Sequence, residues 1–201
     1  MPRLPLSKSE LNRQGKQLKT FEQFLPSLDL KRRQLMAERA KALQAVQGTE
    51  KEIQALKAAI EEALPMLANT PIDLTDLVKV NGYELLDDNV VGTRVPRLAS
   101  VDIQVRPYGL LAKPHWVDRL VGYLEQALAL RVRRQVEQRR ATLLAQTVRV
   151  VTQRVNLFDK VLIPTARNNI KRIQIHLSDR QRAAVVNAKI AKRKHAQEAE
   201  R

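Results

Sequence analysis

The chain has 201 residues and is 44% hydrophobic yet only 3% aromatic, with a formal net charge of +15 and no cysteine. The missing cysteines exclude a disulfide framework and thiolate metal sites. No apolar run reaches the roughly 18 residues that a membrane-spanning helix needs, and the opening stretch MPRLPLSKSELNRQGK lacks the apolar core of a secretory signal.

The predicted elements fall into three regions: 1–68, 69–114 and 115–201. The first is helical. Ser7 or Ser9 can cap it, and Glu10 stands three residues after Ser7, a capping-box spacing. Pro26 predicts a break or kink, because a proline inside a helix loses a hydrogen bond and clashes with the preceding turn; Ser27 then offers a fresh cap. Beyond it the apolar stripe Leu35, Ala42, Val46, Ile53, Leu56, Ile60, Ala63, Leu67 follows heptad-like steps.

The middle region changes character. NTPID, VNGYE, DDNVVGT and VRPYG are turn chemistry. Asn81-Gly82 between LVKV and YEL reads as a two-residue hairpin turn, and Asp87-Asp88 as a further turn. Val101, Ile103 and Val105 share one strand face, and Pro96 suits an edge. A small strand-bearing cap of this size has too little core to stand alone.

The third region is helical again from His115, with Pro114 before it and the stripe Leu120, Leu124, Leu128, Val132, Val136, Leu144, Val148, Val151. The stripe continues through RVNLFDKVLIPTARNNIKRIQIHL as Val155, Phe158, Leu162, Ala166, Ile170, Ile173, Leu177, although Pro164 lies within it. About 60 helical residues reach roughly 90 Å. Two such helices joined by a compact insert pair antiparallel, and the near-3.5 repeat predicts a left-handed supercoil. The fold class is mostly α: a long antiparallel left-handed coiled coil with a small strand-containing middle insert. Its predicted core is Val46, Ile53, Leu56, Ile60, Val148, Val151, Val155, Phe158, Leu162 and Ile173. Pro164 either kinks the helix without further role or fixes where it bends around its partner.

Positive charge concentrates on the third region. Residues 131–154 hold seven arginines and one acid, Glu137, and residues 180–194 add six Lys or Arg and no acid. Such a face either simply solvates a helix or meets an anionic partner. His115, His176 and His195 have no ligand spacing, and no phosphate-binding glycine loop or dinucleotide turn is present. Trp116 reads as a packing anchor. Composition and spacing point to no cofactor, no metal and no catalysis in this chain.

RVNLFDKVLIPTARNNIKRI, 154–173, resembles the signature of the D subunit of V-type and A-type rotary ATPases. NVVGTRVP (89–96) and LPSLDLKRRQL (25–35) are similar to that family's middle region and first helix, so the likeness covers nearly the whole chain. Pro26 departs from the long continuous first helix of the family. The resemblance implies a non-catalytic central shaft, cytoplasmic and peripheral to the membrane. Its coiled-coil tip enters the ring of A and B subunits, and its middle region works with the F subunit and the funnel-shaped subunit on the proteolipid ring. On that reading Arg139, Arg140, Arg149, Arg154 and Arg193 meet the A/B ring, while Leu120, Tyr123 and Leu124 meet the F subunit. The chain then inserts in no membrane, binds no nucleic acid and is no homo-oligomer in the complex. Two other classes compete on charge: a basic coiled coil that binds nucleic acid, and one that lies on anionic lipid.

Overall fold

The computed structural model describes residues 4–69, 77–108 and 114–199, with side chains omitted for 68, 69 and 196–199. Its elements are helix α1 (Lys8–Ala63), a 3₁₀ turn (Pro65–Asn69), strands β1 (Val78–Val90) and β2 (Thr93–Val105), helix α2 (Trp116–Leu157), a π-helical turn (Phe158–Leu162) and helix α3 (Ile163–Ala199). The turn chemistry expected at 70–73 and at Gly109 lies outside the described residues. The chain divides into two compact units, Met1–Leu30 with Val151–Arg201, and Lys31–Val150.

α1 starts as its cap predicts: the Glu10 backbone N–H donates to Ser7 Oγ at 3.2 Å. It does not break at Pro26 but passes through it. The flanking Leu25 and Leu28 are half-buried, and packing of an apolar face outweighs local propensity. Ser27 caps nothing; its hydroxyl donates back to the Phe24 carbonyl at 2.8 Å.

In the unit Lys31–Val150 the two helical arms run antiparallel. Thr49 donates to Glu137 at 2.7 Å, while Glu50 pairs with Arg134 and Glu52 with Arg133, so rising numbers on α1 meet falling numbers on α2. The inward stripe of α1, buried at Leu35, Ala42 and Thr49 and half-buried at Val46, Ile53, Leu56 and Ile60, keeps the three-four alternation from Ala42 on, and α2 answers with buried Val136, Ala141, Leu144 and Val148. This alternation is the one that supercoils helices left-handedly. Leu64, Leu77, Trp116, Val117, Leu120 and Val121 close a second cluster at the foot of the hairpin, which confirms the anchoring role of Trp116.

The hairpin differs from expectation. Its turn is Val91-Gly92, with φ of 51° and 77°, and not Asn81-Gly82. Positive φ at both central residues matches the twist of the flanking strands. Asn81 instead forms a bulge in β1, its amide donating to Asp102 at 2.8 Å, and Ala99 is the extra residue of a second bulge in β2. Asp87 and Asp88 lie within β1, opposite Pro96 and Val95, rather than in a turn. Val101, Ile103 and Val105 share the half-buried face, as their alternation predicts.

Nor is the insert a cap. Each strand has 13 residues, a span of about 43 Å. The hairpin foot joins the Trp116 cluster through Val78 and Val105, while a Cβ on Gly92 would lie 3.5 Å from Lys31 Nζ. Between Lys31 and Leu64 a helix rises about 50 Å. The hairpin therefore lies along the helix pair of its own unit, burying Val95 completely. A ribbon too small for its own core borrows one from the helices.

In the other unit Phe21 meets Phe158 edge-to-face with ring centroids 5.5 Å apart, and Glu22 pairs with Arg167 at 2.7 Å. Lys8 and Leu11 share a cleft with Gln174, Leu177 and Gln181, so this pair is antiparallel as well.

Candidate functional site

The signature stretch 154–173 holds the one π-helical turn among the described residues. The Ile163 N–H donates to the Phe158 carbonyl, five residues back. Ile163 is buried while Leu162, the expected core residue, is only half-buried. The inward steps from Val151 through Val155, Phe158, Ile163, Ala166, Ile170 and Ile173, buried or half-buried, are thus four, three, five, three, four and three. One extra residue has entered the heptad pattern, and the wide turn absorbs it, keeping the later stripe in phase.

The same turn accounts for Pro164. A proline in a regular helix collides with the carbonyl four residues back and offers it no donor. Here the preceding turn is already opened to the i→i−5 pattern, so the ring falls where the tight ladder is relaxed. Leu157, just before this turn, and Val161, on it, stand exposed.

The second feature is a polar layer inside the helix pair of Lys31–Val150. Thr49 is fully buried at a core position, and Glu137 accepts from it at 2.7 Å and from Arg133 Nε at 3.0 Å. A buried polar pair is satisfied in one register only, because any slip leaves a hydroxyl without its acceptor. The stripe read from the sequence skips from Val46 to Ile53 and misses Thr49, although position 49 completes the three-four spacing.

The basic residues separate by environment. Arg139, Arg149, Arg154 and Arg193 are exposed. Arg140 is not available in the same way: it pairs with Asp88 of the hairpin at 3.0 Å, and Arg97 adds a longer contact to the same carboxylate. Leu120 is taken up by the cluster around Trp116 and is 3% exposed. Tyr123 and Leu124 are half-buried against that cluster. At its edge the Tyr108 hydroxyl donates to Asp118 at 2.7 Å, and that hydrogen bond raises its pKa above the ordinary phenol value.

Of the predicted core, Val148, Val151, Val155 and Ile173 are buried, while Val46, Ile53, Leu56, Ile60, Phe158 and Leu162 are half-buried. Among the described residues no helix is long and apolar enough to cross a membrane, and no group of three or more His, Asp or Glu could hold a metal ion.

Comparison with known proteins bears on what such a surface serves. The family model that describes the ATP synthase D subunit matches residues 10–193. The V-type ATP synthase D subunit of Borreliella burgdorferi is 36% identical over 193 residues, covering 96% of this chain and 95% of that protein. The V-type ATP synthase D subunits of Chlamydia caviae and Chlamydia abortus are 32% and 33% identical, with 95% and 94% of this chain and 93% and 92% of those proteins covered. With a match across both helical arms, the hairpin and the π-helical turn, the chain belongs to the ATP synthase D-subunit family.

Proposed function

We propose that the chain is the central rotor shaft of a V/A-type rotary ATPase, a non-catalytic, cytoplasmic component peripheral to the membrane. It turns with ATP hydrolysis or synthesis in a ring of A and B subunits and passes that rotation to the membrane proteolipid ring and its ion translocation. The observation that carries this reading is the register-locked antiparallel helix pair in a member of the D-subunit family. A shaft needs torsional stiffness, and a helix pair whose polar layer fits one register resists sliding where a purely apolar seam would not.

The shaft acts by imposing asymmetry on chemically equivalent sites around it. It can bias each site only by differential contact with that site's conformations. Exposed Arg139, Arg149, Arg154 and Arg193 meet acidic surfaces of the A/B ring. Tyr123 and Leu124, which keep part of their surface open, face the F subunit, and the middle region serves the funnel-shaped subunit.

Co-expression with the A, B and F subunits of the same source, followed by size exclusion at two salt concentrations, tests this. The expected product is one copy of the chain, with F, in each A/B hexamer, weakened by the Arg139→Glu, Arg154→Glu double variant and by salt. A chain that stays apart from A and B, or that carries nucleic acid removable only by high salt, contradicts it.

A further inference from the structure

Gln14 stands in the heptad place of Phe21, Leu28, Leu35, Ala42 and Thr49, and it is 8% exposed although polar. Glu10, one turn earlier, is a carboxylate at 6%. Burying such groups costs free energy unless their bonds compensate. Both find those bonds on α1 itself. Gln14 Nε2 donates to Glu10 Oε1 at 2.8 Å, and Arg13 Nε approaches the other carboxylate oxygen at 3.4 Å. Thr49 in the unit Lys31–Val150 is the contrast, since its acceptor Glu137 lies on the opposite helix. Among the described residues no polar bond joins Lys8–Phe21 to α3; the first to cross is Glu22 with Arg167.

If the first turns of α1 leave α3, Glu10 takes Gln14, Arg13 and the helix N-terminus with it, and only its burial is lost. A carboxylate gains hydration in that move, whereas Thr49 in the same move would lose its acceptor. The cleft at this level has Leu11 on one wall and Leu177 on the other, both half-buried, and their contact opposes opening. Lys8 and Arg180 line the same cleft from opposite helices and repel, weakly because both are exposed. Gly15 supplies a pivot. A glycine inside a helix weakens it, and a Cβ there would meet nothing within 4 Å, so packing does not require it. Gly48 is equally open, but its neighbour Thr49 is bonded across the helix pair.

We propose that Lys8–Gln14 is a latch that opens from α3 about Gly15 while the rest of the pair stays closed, and that the buried Glu10 carboxylate sets how often it opens. Opening bares Ile173 and Leu177 and leaves α3 a single helix at that level. A freed segment this short cannot hold its own helical ladder, so the opening is visible as amide exchange. The inference goes beyond the shaft reading and does not depend on it, because the latch operates in the isolated chain.

The test is native-state hydrogen exchange of the full chain, read by mass spectrometry. Amides over 11–18 should exchange well ahead of those over 46–53. Glu10→Leu should slow exchange over 11–18 at least about tenfold, and Glu10→Gln by less. Gln14→Leu by itself should speed it about threefold, although leucine suits a core position better, because the buried carboxylate then loses a partner. Gly15→Ala should slow it about fivefold, and Gly48→Ala should leave 11–18 unchanged. Ordinary fraying of a helix end would leave Glu10→Leu without effect past the first turn and would give Gln14→Leu the same sign as Glu10→Leu. Either result overturns the latch, as does exchange over 11–18 no faster than over 46–53. None of these results bears on incorporation into a complex, which tests the shaft reading separately.

Discussion

In the unit Lys31–Val150 the helix pair carries a third layer. The hairpin lies along it, Val95 and the Trp116 cluster seal the contact, and Thr49 with Glu137 fixes the register. In the unit Met1–Leu30 with Val151–Arg201 the described residues form a helix pair with no third layer. Its contacts include the Phe21–Phe158 stack, the Glu22–Arg167 pair and a single apolar stripe, and Phe24, Leu157, Val161 and Ile175 remain exposed. One unit gains rigidity from added layers and a polar lock. The other stays slender and places its irregularity, the π-helical turn, within 154–173. On the shaft proposal, the difference separates a region built to be held by partners from one built to fit inside a close sleeve.

The largest effect should come from the cores themselves. Leu144→Ala in one unit and Ile173→Ala in the other each remove a fully buried side chain, which costs about 2–5 kcal/mol. Urea denaturation of the two variants should show both losses, the larger in Leu144→Ala, because a site hemmed in by three layers collapses less around the cavity.

Next comes the π-helical turn. Deleting the exposed Lys160 restores the regular three-four pattern but leaves Pro164 inside an ordinary α-helix, at a cost of about 3 kcal/mol. Adding Pro164→Ala to the deletion should recover most of that loss. A deletion harmless by itself would mean that the wide turn does not accommodate the proline.

Glu137→Ala strips the buried Thr49 hydroxyl of its acceptor and should cost about 1–3 kcal/mol, read from the urea midpoint. Restoring an acceptor with Glu137→Gln should regain part of it. No equivalent loss is expected from Glu22→Ala, whose pair with Arg167 is exposed and contributes about 0–1 kcal/mol.

The smallest effect concerns the hairpin turn. Val91 holds φ of 51°, which a β-branched residue adopts at a cost of order 1 kcal/mol or more. Val91→Asn should raise stability by about 1 kcal/mol in the same measurement.

These particulars also show what was legible in the sequence. The two stripes were, because heptad spacing survives in most of the buried positions, and so was the strand face Val101, Ile103, Val105. The hairpin turn was not. Asn-Gly is the stronger local signal, and a β-branched residue argues against positive φ, yet packing of the ribbon along the helices settles the register and leaves Val91 at the bend. The break expected at Pro26 fails for a similar reason, since tertiary packing carries α1 through a residue that local rules forbid. The basic residues can be counted from the sequence, but that Arg140 serves the hairpin depends on a contact 52 positions away. The run of four-residue steps around Pro164 was the visible trace of the π-helical turn.

The most direct measurement is rotation. The chain has no cysteine, so a single Leu86→Cys carries a gold-particle label at one known point. With the A/B ring immobilised, ATP should drive the label in one direction in discrete steps, and removal of ATP should stop it. Hydrolysis that proceeds while the label stays still or only fluctuates would contradict the shaft.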